Sequence, residues 1–158
     1  MAKTNTRPAP KGPAVVARVK RAIVGTVVPS LRALGFEGSF PSFRRVERDR
    51  HSVIHFWWGR NLGWLTVLLA VVPPRKGTSV SQDYQRSIHI RNRQRGGLDD
   101  VVPWRVQRLF HFDHAAKNWG KAWPANLAEL LEQKLTTAGL RWLEDPARRP
   151  RRRARAVS

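Results

Sequence analysis

SVIHFWWGRNLGWLTVLLAVV, residues 52–72, holds two runs of β-branched, aliphatic and aromatic residues separated by a short break. Ser52–Trp58 is the first run, and Gly59, Asn61 and Gly63 supply the turn chemistry after it. Trp64–Val72 is apolar almost throughout, and Pro73 and Pro74 end it because neither can donate to a strand ladder. Such a run predicts a strand covered on both faces or placed centrally. It has nine residues, whereas a membrane-crossing helix needs about 20, so no membrane insertion is expected. Upstream, Ser39–Glu47 reads as a strand bearing Phe40, Phe43 and Val46, with Pro41 confining it to an edge. Downstream, Ser87–Arg93 reads as a fourth strand, with Ile88 and Ile90 on one side and His89 and Arg91 on the other. The short connections between the first three predict an antiparallel meander.

Helical patterns flank these strands. Pro13 suits a first helical turn, where its missing N–H is not needed. Val15, Val16, Val19, Ile23 and Val27 then fall mostly three or four apart, and Leu31 and Leu34 extend the stripe to a left-handed cap at Gly35. A helix over 13–34 follows, with a kink or break expected at Pro29. Near the other end, Trp123–Pro124 opens a second helix that places Leu127, Leu130, Leu131, Leu135 and Ala138 on one face. Glu129, Glu132 and Gln133 fill the solvent side, Lys134 falls inside the stripe, and Gly139 is expected to close the helix. The fold class is α+β: an antiparallel sheet of about four strands with N-terminal and C-terminal helices packed on it.

The 158 residues suffice for one ordinary domain. They carry 30 Lys plus Arg against 11 Asp plus Glu, a formal charge of +19. About half of that excess lies in residues 1–12 and 146–158, which hold three and six basic groups and no acid. Both segments combine charge with Pro and few large apolar groups, so both are expected to be disordered tails around a 13–145 domain. The charge favours anionic partners, although a GC-rich coding sequence also yields 23 Arg against 7 Lys. No hydrophobic leader precedes the first helix, so a cytoplasmic protein is expected.

The helix exit LRALGFEGSFPSFRRV resembles the opening of bacterial proteins in the domain of unknown function 4304 family. The matching features are Leu34-Gly35-Phe36 after a helix, then a short polar stretch leading to Phe43-Arg44-Arg45. The strands, the charged stretch with Arg91 and Arg93, and the closing Trp-plus-Leu helix are similar too. The resemblance covers roughly residues 14–145. It implies a fold and a bacterial setting and carries no catalytic residue.

The chemistry-bearing patterns are mostly exclusions. The chain has no Cys, which removes disulfides, thiolate zinc sites and cysteine nucleophiles together. GxSxG, GxGxxG and GxxxxGK[ST] are absent. Asp99-Asp100 and Glu144-Asp145 are adjacent pairs, unlike the separated carboxylates of a glycosidase. His111-Phe112-Asp113-His114 is the densest group of ligand types, yet it lacks the fourth ligand of a structural zinc site and reads as a surface turn. His51, His55 and His89 read as half-buried or solvent-facing. No enzyme activity, metal or cofactor is therefore expected.

What remains is basic groups interleaved with aromatics. Trp57, Trp58 and Arg60 end one strand, while Arg86, Arg91, Arg93 and Arg95 lie on or near another. Neighbouring strands would put rings and guanidinium groups on one face, an arrangement suited to single-stranded nucleic acid. Arg148, Arg149, Arg151, Arg152, Arg153 and Arg155 add a basic C-terminal segment. Three functions follow in order. The first is a non-catalytic binding domain with an unidentified protein partner, of which an immunity-like role is one form. The second is non-specific binding of nucleic acid or another polyanion. The third is a small hydrolase or a metal-dependent enzyme built around His111 and His114.

Overall fold

A computed structural model describes residues 11–94 and 104–146. Helix α1 (Pro13–Ala33) leads into a hairpin of β1 (Glu37–Ser39) and β2 (Ser42–Val46), followed by β3 (His51–Trp58) and β4 (Trp64–Val72). Helix α2 (Val80–Gln94), strand β5 (Trp104–His111) and helix α3 (Phe112–Trp119) come next. A 3-10 turn (Gly120–Ala122) then joins α3 to α4 (Trp123–Lys134), which runs through a π-helical turn (Leu135–Gly139) into α5 (Leu140–Glu144). The five strands form one antiparallel sheet in the order β1-β2-β3-β4-β5. The α+β class is as expected, with one strand more than the sequence patterns indicated.

Alternation divides the sheet into two covered faces. One presents Phe43, Ile54, Phe56, Leu65, Val67 and Leu69 to the buried faces of α1 and α4, where Val19, Ile23, Val27, Leu31, Leu127 and Leu131 complete the main core. The other presents Val53, Leu68, Ala70 and Val72 to α2, whose Tyr84 and Ile88 pack against them. Strand β4 lies between β3 and β5 and is apolar on both sides, which explains its unbroken sequence.

Helix α1 ends in a Schellman motif. Gly35, at φ 85°, donates its N–H to Arg32 O at 3.0 Å, and Phe36 donates to Leu31 O at 2.9 Å. The expected break at Pro29 does not occur, since the helix continues to Ala33 with Val27 and Leu31 buried on either side of the proline. The single strand expected over 39–47 is a hairpin tip and β2, with the cis Phe40–Pro41 bond in the turn. Its apolar residues do not share a face: Phe43 is buried in the main core, whereas Val46 is 55% exposed.

Two further differences concern the second half. Ser87–Arg93 is part of α2 and not a strand. The alternation of Ile88 and Ile90 competes there with a helical face of Asp83, Tyr84, Ser87 and Ile88, and burial of that face decides the conformation. Ser79 caps the helix reciprocally with Gln82: Gln82 N–H donates to Ser79 Oγ at 3.1 Å, and Ser79 N–H donates to Gln82 Oε1 at 2.7 Å. Gly139 does not close the last helix. It keeps right-handed helical angles, and its surface meets Leu69 where a Cβ would crowd Lys134 O at 3.3 Å. The chain continues so that Trp142 and Leu143 also reach the core.

Candidate functional site

Asp83 stands one turn into α2 with its side chain fully buried against the sheet. A buried carboxylate is costly unless it is paired and hydrogen-bonded. Here Arg44 Nη1 on β2 donates to Oδ2 at 2.9 Å, and Arg86 Nη1, one turn along α2, donates to Oδ1 at 2.5 Å. His51 Nδ1 on β3 lies 2.6 Å from Oδ2. Burial alone would raise the Asp83 carboxyl, but these hydrogen bonds outweigh it and hold the group below the ordinary carboxylate range. An ionised carboxylate accepts only, so the His51 hydrogen sits on Nδ1.

Arg44 is equally engaged. Its Nε donates to Glu37 at 2.9 Å, its Nη2 also reaches Glu37, and its Nη1 donates to Thr78 O at 2.5 Å. Burial opposes its charge, while the bonds to Glu37 and Asp83 raise its pKa above the usual arginine value. Farther along the same face, His55 accepts or donates at Ser42 Oγ over 2.8 Å and stacks on Tyr84 with ring centroids 3.8 Å apart. Burial depresses its pKa to about 4, so this imidazole is neutral at pH 7.

A cleft of about 500 Å³ opens beside this network, between the end of β2 and the Pro74–Thr78 loop. Arg44 and His51 form its wall, and Arg48, Arg75 and Lys76 stand exposed around it with Val46. Among the described residues none of Arg48, Arg75 and Lys76 has an acidic partner. Glu47 also lines the cleft, but Arg45 Nη2 at 3.1 Å and Ser52 Oγ at 2.8 Å already donate to its two oxygens. The cleft is thus cationic, with a fixed wall.

A second cleft of about 450 Å³ lies between α3 and α4, with Phe110, Leu127 and Leu130 beneath His111, Asp113 and His114. His111 ends β5, and Asp113 and His114 occupy the first turn of α3, all exposed, so the surface turn expected there is a strand end and a helix start. His114 Nε2 accepts from Asn118 Nδ2 at 2.8 Å. Among the described residues no three His, Asp or Glu side chains gather as a metal site.

Among the described residues, Trp57, Trp58 and Arg60 do not share one surface. Trp57 is 50% exposed on the α2 side of the sheet, whereas Trp58 turns inward to Phe40 and Phe112. Arg60 is exposed in the β3–β4 turn. Arg91 and Arg93 belong to helix α2, so the expected pair of neighbouring strands sharing rings and guanidinium groups is not formed. Arg95, Arg148, Arg149, Arg151, Arg152, Arg153 and Arg155 lie outside the described residues. Sequence reasoning missed Arg44, His51 and Asp83 as a unit. The available signal was the Ser79/Gln82 capping pattern, which would have turned 80–94 into a helix and aligned Asp83 with Arg86 and Ser87.

Comparison of the chain with family models, with curated proteins and with solved structures finds no match. Among the described residues no helix is long and apolar enough to cross a membrane.

Proposed function

We propose that this chain is a non-catalytic binding domain whose basic cleft takes an acidic segment of a partner protein. The observation that carries the reading is the set of unpaired cations, Arg48, Arg75 and Lys76, around a wall whose own charges are internally satisfied. Exposed Val46 adds apolar contact among them, and protein interfaces combine apolar contact with complementary charge in this way. The resemblance to the domain of unknown function 4304 family supplies a setting for such a domain, and an immunity-like role is one form of it. The test measures binding of a labelled acidic peptide at low salt to wild type and to the R48E/R75E/K76E variant. Wild type is expected to bind, and the variant to lose at least tenfold in affinity with its melting temperature unchanged. Equal binding by both chains would remove the cleft from the reading.

A second reading is non-specific nucleic-acid or other polyanion binding through the C-terminal arginines. Its support is charge density: residues 146–158 contain six arginines. Each neutralised phosphate releases counterions, so four to six contacts give a log–log salt slope of about −4 to −5 on duplex. Removing that segment should then abolish most binding. Tight binding of single strands by the shortened chain, with Trp57 fluorescence quenched, would instead assign the site to the sheet surface around Trp57 and Arg60.

A further inference from the structure

The wall of the basic cleft contains one polar group that the internal network leaves unused. His51 is 4% exposed and lines the cleft, and its Nδ1 is committed to Asp83. Among the described residues its Nε2 has no hydrogen-bond partner. Arg44, by contrast, directs its donors to Glu37, Thr78 and Asp83 and has little left for a ligand. A ligand in this cleft therefore meets a fixed imidazole nitrogen and the three cations Arg48, Arg75 and Lys76.

We propose that the cleft recognises a phosphomonoester on the acidic partner, with His51 Nε2 and one phosphate oxygen sharing a proton while Arg48, Arg75 and Lys76 neutralise the remaining charge. This rests on the protein-partner reading above and specifies the group that is read. Three points favour phosphate over carboxylate. A phosphate offers three terminal oxygens and up to two negative charges, matching three cations better than a single carboxylate does. Arginine forks pair with phosphate oxygens in bidentate fashion, and lysine adds a point charge. The second ionisation of a phosphomonoester falls at about 6, so its monoanion still carries one P–O–H proton that it can donate. With the His51 hydrogen held on Nδ1 by Asp83, Nε2 is an acceptor for that proton. A carboxylate arrives without a proton to share.

The experiment uses the full chain with an acidic peptide, the same peptide carrying one phosphoserine, and a 5′-phosphorylated oligonucleotide. The phosphopeptide is expected to bind at least tenfold more tightly than its unphosphorylated form. His51→Asn retains an amide near the Nδ1 position for Asp83 and removes Nε2, so it should erase the tenfold difference between the two peptides. Because this variant can fail to fold, a second measurement uses wild type alone: the His51 ¹⁵Nε2 resonance should shift on titration with the phosphopeptide, and the His114 resonance should not. Equal affinity for the two peptides overturns the phosphate inference while leaving the acidic-partner reading standing. Binding of neither peptide overturns both. Tighter binding of the oligonucleotide than of the phosphopeptide, through the same His51 shift, overturns the choice of a protein as the carrier.

Discussion

Toward α1 and α4 the sheet presents Phe43, Ile54, Phe56, Leu65, Val67 and Leu69, all buried among other apolar side chains. Toward α2 it presents Arg44 and His51 beside a small patch of Val53, Leu68, Ala70 and Val72. The first face is held by area removed from water, which is insensitive to direction. The second depends on Asp83 being in one place, because three side chains from two strands and a helix direct hydrogen bonds at it. Apolar packing tolerates volume-conserving exchange, whereas a buried ionic network fails when one member leaves. The difference places the candidate site on the face that is least able to absorb change.

Removing Asp83 is the strongest way to test that contrast. Asp83→Ala leaves Arg44, Arg86 and His51 without their common acceptor, and loss of one partner from a buried ion pair costs about 3–5 kcal/mol. Denaturant unfolding should register that loss, and amide exchange should accelerate in α2 well before α1. Uniform loss of protection in both helices would show that the two faces are one cooperative unit. A comparable change on the other face is Leu131→Ala, at a position with no exposure in α4. Transfer and cavity terms give about 2–5 kcal/mol. Here α1 and α4 should lose protection together, since both contribute to the main core.

The same contrast governs what was legible in the sequence. Trp64–Val72 and the Val19, Ile23, Val27 and Leu31 stripe were readable because apolar burial writes its period directly into the residues. Helix α2 was not, because its inward face is Asp83, Tyr84, Ser87 and Ile88, half polar by composition. Whether Asp83 is solvated or buried depends on Arg44 and His51, which are 39 and 32 positions away. No local pattern contains that information. The cleft inherits the same invisibility, since Arg48, Arg75 and Lys76 converge only after β2 and the Pro74–Thr78 loop are placed side by side. Strand β5 was missed as well, and the backbone pairing of Trp104–His111 with β4 came only from the fold.

Acid should act first on the α2 face. His55 has a folded pKa of about 4 against 6.5 for the free side chain. Between those values the unfolded chain binds more protons, so stability falls as pH drops from about 6.5 to about 4. With solvent screening at a half-buried ring, the loss is on the order of 1–2 kcal/mol. Asp83 contributes in the same direction at still lower pH, because its depressed pKa gives stability that is lost as the carboxylate is protonated. His55→Gln should flatten the profile above pH 4 and leave the lower limb in place. A profile unchanged by that substitution would assign the upper limb to another group.

The smallest expected effect concerns a polar contact inside the apolar half. Glu132 was expected on the solvent side of α4, but it is half-buried and accepts a hydrogen bond from Ser30 Oγ of α1. The contact lies at the seam where α1 and α4 pack, near the end of α1 that carries Pro29. A partly buried hydrogen bond to a charged acceptor contributes about 1 kcal/mol net, and more if its loss leaves the carboxylate unsatisfied. Ser30→Ala should therefore cost about 1 kcal/mol, and the double variant Ser30→Ala with Glu132→Gln should cost less than the sum of the two singles. Additive losses would mean that the two side chains do not interact and that apolar contacts alone hold α1 against α4. Coupling between them would instead show that both layers of the protein use directed polar contacts, differing in how many converge on one carboxylate.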